Sequence, residues 1–294
     1  MVDLPGGTFR MGSDRFYPEE GPVREATVGP FAVDRHPVTV AEYRRFVQET
    51  GHVTWAEQAP AAEDYPGADP ELLVPGSLVF HKTAGPVDLR DYRNWWGWTP
   101  GADWRHPEGP GSNVGGRELH PVTHVAHADA LAYAEWAGKS LPTEVEWEYA
   151  ARGGLDGATY TWGDEFAPRG RMMANTWQGE FPWQNLLTDG YEGTSPVERF
   201  PANGYGLYDM AGNVWEWTVD DFAQARPSGR PCCAPQLPLA GDSEKYPRKV
   251  IKGGSHLCAP NYCLRYRPAA RQGETVDTST CHIGFRCVIR PPSG

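Results

Sequence analysis

Gly253-Gly254-Ser255-His256-Leu257-Cys258-Ala259-Pro260-Asn261-Tyr262-Cys263 is the sharpest local signal in the 294-residue chain. It follows the β-like run Lys249-Val250-Ile251-Lys252, so the glycine pair reads as a tight turn at the end of a strand. Pro260 restrains the loop between two thiols spaced C-x4-C, and both sulfurs can converge on one point. Thiolates are soft ligands that select Cu(I), zinc or iron–sulfur centres. Two sulfurs without an evident further ligand fit a low-coordinate soft ion such as Cu(I) best. Spacing alone leaves a structural disulfide or two buried thiols equally open.

Downstream runs Arg265-Tyr266-Arg267-Pro268-Ala269-Ala270-Arg271. Three arginines beside two cysteines would favour thiolates and can clamp a carboxylate or a peptide backbone. Structural arginines, ion-paired within an acidic protein, are the simpler expectation. Upstream, Asp209-Met210-Ala211-Gly212-Asn213-Val214-Trp215-Glu216 offers oxygen groups at alternating positions. If extended, it turns the groups at 212, 214 and 216 to one side, as a hard cation requires; a strand bearing ordinary acids is the plainer alternative. Asn175 and Asp189 with neighbouring carbonyls form a weaker set of the same kind. His120, His124 and His127 look like ligands, yet Pro121 and the Val122/Val125 pattern put the first two on a strand and the third at a helix start. They should not converge. Phosphate-cradling GxGxxG and Walker patterns and the G-x-S-x-G elbow are absent, as is a C-x2-C pair with histidine partners.

Further out, three helices are legible. Thr39-Val40-Ala41-Glu42 has capping-box spacing, with Tyr43, Phe46 and Val47 on one face and Gly51 as a stop. A second helix is expected over 128–137, with Leu131, Tyr133, Ala134 and Ala137 apolar and Gly138 beyond it. The third follows Thr143-Glu144-Val145-Glu146 and stops at Gly153-Gly154. After that, short β-like runs recur at 158–162, 214–218, 249–252 and 284–289. The stretch 56–116 reads as a long insertion packed on the core, because Trp95, Trp96, Trp98 and Trp104 would be costly to leave in water.

Composition agrees. The chain holds 34 Gly and 28 Pro, far above average usage, yet also 12 Trp, 13 Tyr and 10 Phe. So much punctuation beside so much aromatic core material predicts one domain over 1–294 with short elements and packed irregular connections. Six cysteines are too few for a disulfide scaffold at this length. With 27 Lys and Arg against 38 Asp and Glu, the formal net charge is −11, which disfavours nucleic acid and electrostatic membrane docking. No stretch is apolar enough to span a bilayer and Met1–Gly7 is not a secretory signal, so a cytoplasmic location is expected.

Taken together the motifs resemble one family, the formylglycine-generating enzymes or sulfatase-modifying factors. The resemblance is carried by Leu4–Gly12, Leu141–Glu144, Glu148–Gly154, Asn203–Tyr208, Gly212–Trp217, Gly253–Ser255 and Gly284–Cys287. Cys258 and Cys263 followed by Arg-Tyr-Arg mark its catalytic branch. The resemblance implies an irregular α+β fold, distantly like C-type lectins. It also implies oxidation of a cysteine in a Cys-x-Pro-x-Arg stretch of an unfolded sulfatase to Cα-formylglycine, using O2 and a Cu(I) ion held by Cys258 and Cys263. Ser255, Tyr262 and Trp215 would line that pocket. Structural Ca2+ would be held by Asn175, Thr176, Asp189 and Tyr191 at one site, and by Asp209, Gly212, Val214 and Glu216 at another. A monomer is expected.

Three departures stand out. Ala259-Pro260-Asn261 occupies the loop where better-known relatives carry a His and a Ser, Asp209 replaces a usual Asn, and His282 stands where Asn is commoner, near the expected substrate groove. Two other functions share the fold. Iron-dependent sulfoxide synthases need a second, His-rich helical domain, for which these residues leave no room. Non-catalytic binding modules normally lack the cysteine pair.

Overall fold

The computed structural model describes residues 1–222 and 246–291, so Cys232 and Cys233 lie outside the described residues. Strands β1 (Val2–Leu4), β2 (Gly7–Met11), β3 (Arg24–Val28) and β4 (Phe31–Val33) lead into helix α1 (Val40–Thr50). Thr39 caps α1 as its spacing predicts. Its hydroxyl accepts the Glu42 N–H, and the Glu42 carboxylate accepts the Thr39 N–H at 2.8 Å. Gly51 closes the helix in the left-handed region.

The 56–116 insertion contributes a hairpin, β5 (Gly76–Phe80) and β6 (Trp96–Pro100). Helices α2 (His127–Trp136) and α3 (Glu144–Arg152) follow, the latter with the expected Thr143/Glu146 capping box and Gly153 as C-cap. Then come β7 (Trp215–Asp221), β8 (Arg248–Lys252), β9 (Arg271–Thr275) and the short β10 (Ile283–Gly284) and β11 (Val288–Ile289). The main sheet has the order β10-β7-β8-β9, with β10 parallel to β7 and the other pairs antiparallel. A three-stranded sheet, β1-β4-β11, brings the two chain ends together.

Aromatic packing supplies what the short elements lack. Tyr43 stacks on Tyr133 and meets Trp104 edge-on at 5.3 Å. These rings share one cluster with Trp215, Trp217, Phe285, Cys258 and Cys263. Trp95 and Trp96 from the insertion are buried with Trp177, Phe181, Leu257 and Ala259, so the insertion forms a wall beside the cysteine turn. The expected α+β architecture, poor in regular structure, is what these elements build.

Four readings need correction. The 158–162 run is a turn with a single bridge, Tyr160 to Gly163. The 284–289 run splits into two strands because Arg286 turns inward to an ion pair with Glu216. Leu131 is exposed, since the buried face of α2 is carried by Ala130, Tyr133 and Ala134. His120 and His124 lie on no strand, and His124 takes a left-handed φ of 60°.

Candidate active site

β8 delivers the chain to the cysteine turn. At Gly254, φ is +68° and a Cβ would lie 2.8 Å from the Tyr266 nitrogen, so only glycine fits. The Cys258 N–H then bonds the Ser255 carbonyl at 3.0 Å, and the Cys263 N–H bonds the Ala259 carbonyl at 2.7 Å. Those two bonds fold the loop so that the Cys258 and Cys263 sulfurs face each other 3.0 Å apart. Both residues are fully buried and no disulfide joins them, a disulfide being about 2.05 Å long. The Ser255 N–H points to the Cys258 sulfur at 3.4 Å, a donor that favours a thiolate.

The walls are aromatic. Tyr262, half-buried, stacks on Phe181 at 4.6 Å and meets Trp95 edge-on at 5.4 Å. Trp215 is fully buried in the cysteines' own cluster, and its indole N–H has no acceptor among the described residues. Burial raises the Tyr266 hydroxyl well above its ordinary value, and the adjacent Cys258 and Cys263 add to the rise. Ser255, Cys258, Tyr262 and Cys263 are therefore brought together, and Trp215 lies in the same buried cluster as the two cysteines. Within the departing tripeptide, the Asn261 amide donates to Glu180 at 3.0 Å and its oxygen accepts the Phe181 N–H. The loop that carries Phe181 is thereby tied to the cysteine turn. His282 is buried, with its ring 4.9 Å from that of Trp96 and Nδ1 2.6 Å from the Thr280 hydroxyl, so it packs beneath the wall.

In the first oxygen set, backbone hydrogen bonds tie Asp189 to Thr176 and Tyr191. Asp189 accepts the N–H groups of Tyr191 at 2.9 Å and Thr176 at 3.1 Å, and Asn175 Oδ1 is buried without a hydrogen-bond partner among the described residues. Burial raises the Asp189 carboxyl above its usual value, although Tyr191, Gln178 and Thr176 all donate to it. Hard oxygen donors of this kind fit a hard cation.

In the second set the extended alternation expected from residue 212 does not hold at its start. Gly212 and Asn213 have φ of 72° and 60°, so the alternation begins only at Trp215. Gly212 must be glycine there, because a Cβ would meet the Asn175 carbonyl oxygen at 2.1 Å. Glu216 is ion-paired: Arg286 donates to both its oxygens, at 2.7 and 2.8 Å, and Trp147 donates at 2.6 Å. Among the side chains of this set, only Asp209, buried and raised by that burial, retains an anionic charge without its own cation. If Ca2+ is held at Asn175 and Asp189, calorimetry should show its binding, and its chelation should lower Tm by about 5–10 °C. No binding, or an unmoved Tm, would refute this.

The histidines separate as expected: His120 pairs with Thr194, His124 with Ser77 and His127 with the Thr218 carbonyl. Burial pulls His124, His127 and His256 down to about 4, so all three are neutral near pH 7. The arginines are structural. Arg267 grips Glu20 through both guanidinium nitrogens, Arg265 pairs with Glu19, and Arg271 with Glu144. Sequence reading assigned no role to Tyr17, whose hydroxyl accepts the Leu264 N–H at 2.9 Å, or to Phe181. No local pattern flags a partner 247 residues away.

Comparison with known proteins gives a consistent picture. A family model of the sulfatase-modifying factor enzyme 1-like domain matches residues 1–291. The chain is 59% identical over 297 residues to a formylglycine-generating enzyme of Mycobacterium tuberculosis, spanning 100% of this chain and 99% of that protein. It is also 41% identical over 302 residues to an inactive C-alpha-formylglycine-generating enzyme 2 of Bos taurus, spanning 99% and 89%. Among solved structures, PvdO from Pseudomonas aeruginosa is similar with a TM-score of 0.62 at 27% identity, covering 99% of this chain and 94% of that one.

Proposed function

The chain belongs to the sulfatase-modifying factor enzyme 1-like family, and on that premise we propose that it converts a sulfatase cysteine to Cα-formylglycine. The finer reading is a copper- and O2-dependent oxidase acting on an unfolded Cys-x-Pro-x-Arg segment. One observation carries it: two unbridged, fully buried thiols face each other at 3.0 Å beneath an aromatic wall. That donor set fits a soft, low-coordinate ion. Cys258 and Cys263 would hold Cu(I), which when bound supplies the redox chemistry with O2 that side chains cannot.

The protein's own residues supply the setting. The Ser255 N–H stabilises negative charge on Cys258. Tyr262, clamped between Phe181 and Trp95, offers a rigid face at the chamber edge. Trp215 shares the buried cluster of the two cysteines, and its indole N–H has no acceptor among the described residues. A chamber this buried cannot reach a cysteine packed inside a folded protein, so the substrate is an extended, unfolded segment.

The inactive relative keeps a non-catalytic reading in play, and one experiment separates the two. The full chain is incubated with a Cys-x-Pro-x-Arg peptide, Cu(I) and O2, and followed by mass spectrometry. Conversion of the peptide thiol to an aldehyde is expected. A Ser-x-Pro-x-Arg peptide should bind and stay unchanged. Tight binding of the cysteine peptide without O2 consumption, at full copper loading, would establish a binding module.

A further inference from the structure

The Cys263 sulfur hangs from a backbone that is fixed on both sides. Before it, the Cys263 N–H bonds the Ala259 carbonyl at 2.7 Å. After it, the Leu264 N–H donates to the Tyr17 hydroxyl oxygen at 2.9 Å. The Leu264 N–H and the Cys263 carbonyl share one peptide plane, so a partner for that N–H sets the rotation about the Cys263 Cα–C bond. The Leu264 carbonyl is taken as well, by Arg267 Nε at 2.8 Å. Residues 16–20 grip the following arginines too. Arg265 lies over the Tyr17 ring at 3.9 Å and pairs with Glu19. Arg267 lies over the Phe16 ring at 3.7 Å and donates to buried Glu20 at 2.8 Å. The gripping segment is itself anchored: the Gly12 N–H donates to Glu148 at 2.7 Å, and the Ser13 N–H to the Glu20 carbonyl at 3.1 Å. Guanidinium–ring contacts and buried ion pairs are costly to separate, so this segment holds the turn rigidly.

We infer that residues 16–20 clamp the cysteine turn and that Tyr17 is the positioning residue for the Cys263 thiol. This rests on the reading of the thiol pair as the Cu(I) site and adds what holds that pair in place. Two sulfurs 3.0 Å apart need to close by only about 1 Å to reach disulfide length. A disulfide offers a soft ion no thiolate. Fixing the peptide after Cys263 withholds that last movement and presents both sulfurs at a set spacing. Tyr17 acts through the Leu264 backbone, so its effect reaches the sulfur by geometry and not by chemistry.

The test uses the full chain and Tyr17→Phe, which keeps the ring beneath Arg265 and removes the hydroxyl alone. Two quantities are read: Cu(I) affinity by titration against a competing chelator, and the rate at which the metal-free thiols form a Cys258–Cys263 disulfide. Diamide serves as oxidant, taking up the two electrons and two protons that the thiols lose, and peptide mapping identifies the bridge. Tyr17→Phe should weaken Cu(I) binding and speed the disulfide, each by about 3- to 10-fold, the scale of one hydrogen bond. Tyr149→Phe is the control. It removes a tyrosine hydroxyl bond of 2.7 Å, to the Gly6 carbonyl, in a separate cluster. It should lower Tm yet leave both quantities at wild-type values. A Tyr17→Phe chain that behaves like the control, with a lower Tm and both quantities unmoved, would overturn the assignment. Should Tyr17→Phe not fold, Glu19→Gln takes its place by releasing the Arg265 side of the clamp, and unmoved quantities there would overturn it instead. If wild type takes up no Cu(I), the copper reading fails, and the metal-free disulfide rate still decides the role of Tyr17.

Discussion

Cys258→Ser and Cys263→Ser are each expected to abolish turnover of a Cys-x-Pro-x-Arg peptide and to remove tight Cu(I) binding while the fold persists. Serine is nearly isosteric, and the bonds that shape the turn are made by backbone groups at Ser255 and Ala259, not by the sulfurs. What changes is the donor: a hard hydroxyl that stays protonated replaces a soft sulfur. The two sulfurs act as one unit, so the double variant should be no worse than either single one. Cys232→Ser, outside the pair, should leave turnover and copper binding nearly unchanged. Rate measurements need a second readout, a Cu(I) titration against a competing chelator. Wild-type copper affinity or full turnover in either single variant would remove the thiol pair from the mechanism.

The second large effect concerns the buried charges that replace long elements as staples. Glu148 is buried on α3, where Arg152 donates at 2.6 Å, Lys252 at 3.0 Å and the Gly12 N–H at 2.7 Å. Glu148→Gln would leave Lys252, fully buried, with the longer 3.6 Å ion pair to Glu144 as its one carboxylate contact among the described residues, and Arg152 without its carboxylate. Uncompensated buried cations cost about 3–5 kcal/mol, a large share of the roughly 5–15 kcal/mol that folds a domain. Chemical denaturation should show that loss; a change under about 1 kcal/mol would mean the cations find water or new partners.

The same group sets an acid limit. Burial alone would raise the Glu148 carboxyl, but Lys252 and Arg152 outweigh it and hold the group below its ordinary value. Its contribution is thus complete above the unfolded carboxylate value of about 4.3 and is lost as pH falls through the lower folded value. Over that window the wild type should lose Tm faster than Glu148→Gln. Parallel curves would show that other carboxylates dominate.

Much of this protein was determined locally, and those parts were legible. The capping boxes at Thr39 and Thr143 and the stops at Gly51 and Gly153 involve partners three to five residues apart, so their geometry is written in spacing. The Gly253-Gly254 turn and the loop joining Cys258 to Cys263 are local in the same sense. That is why the thiol pair could be named from one stretch, although spacing left its chemistry open.

Only the tertiary structure decided the rest. The ion pair of Glu216 depends on Arg286, 70 residues away, and Arg286 also breaks the strand expected at 284–289. Phe181 becomes the platform under Tyr262 because Asn261 ties the two loops. Tyr17 is an ordinary loop aromatic until packing sets its hydroxyl on the Leu264 N–H. Buried polar groups must find partners wherever the packed chain places them, and a chain with so many glycines and prolines folds largely through such distant pairings. Local spacing sets turns and caps; it does not carry the address of a partner that only packing supplies.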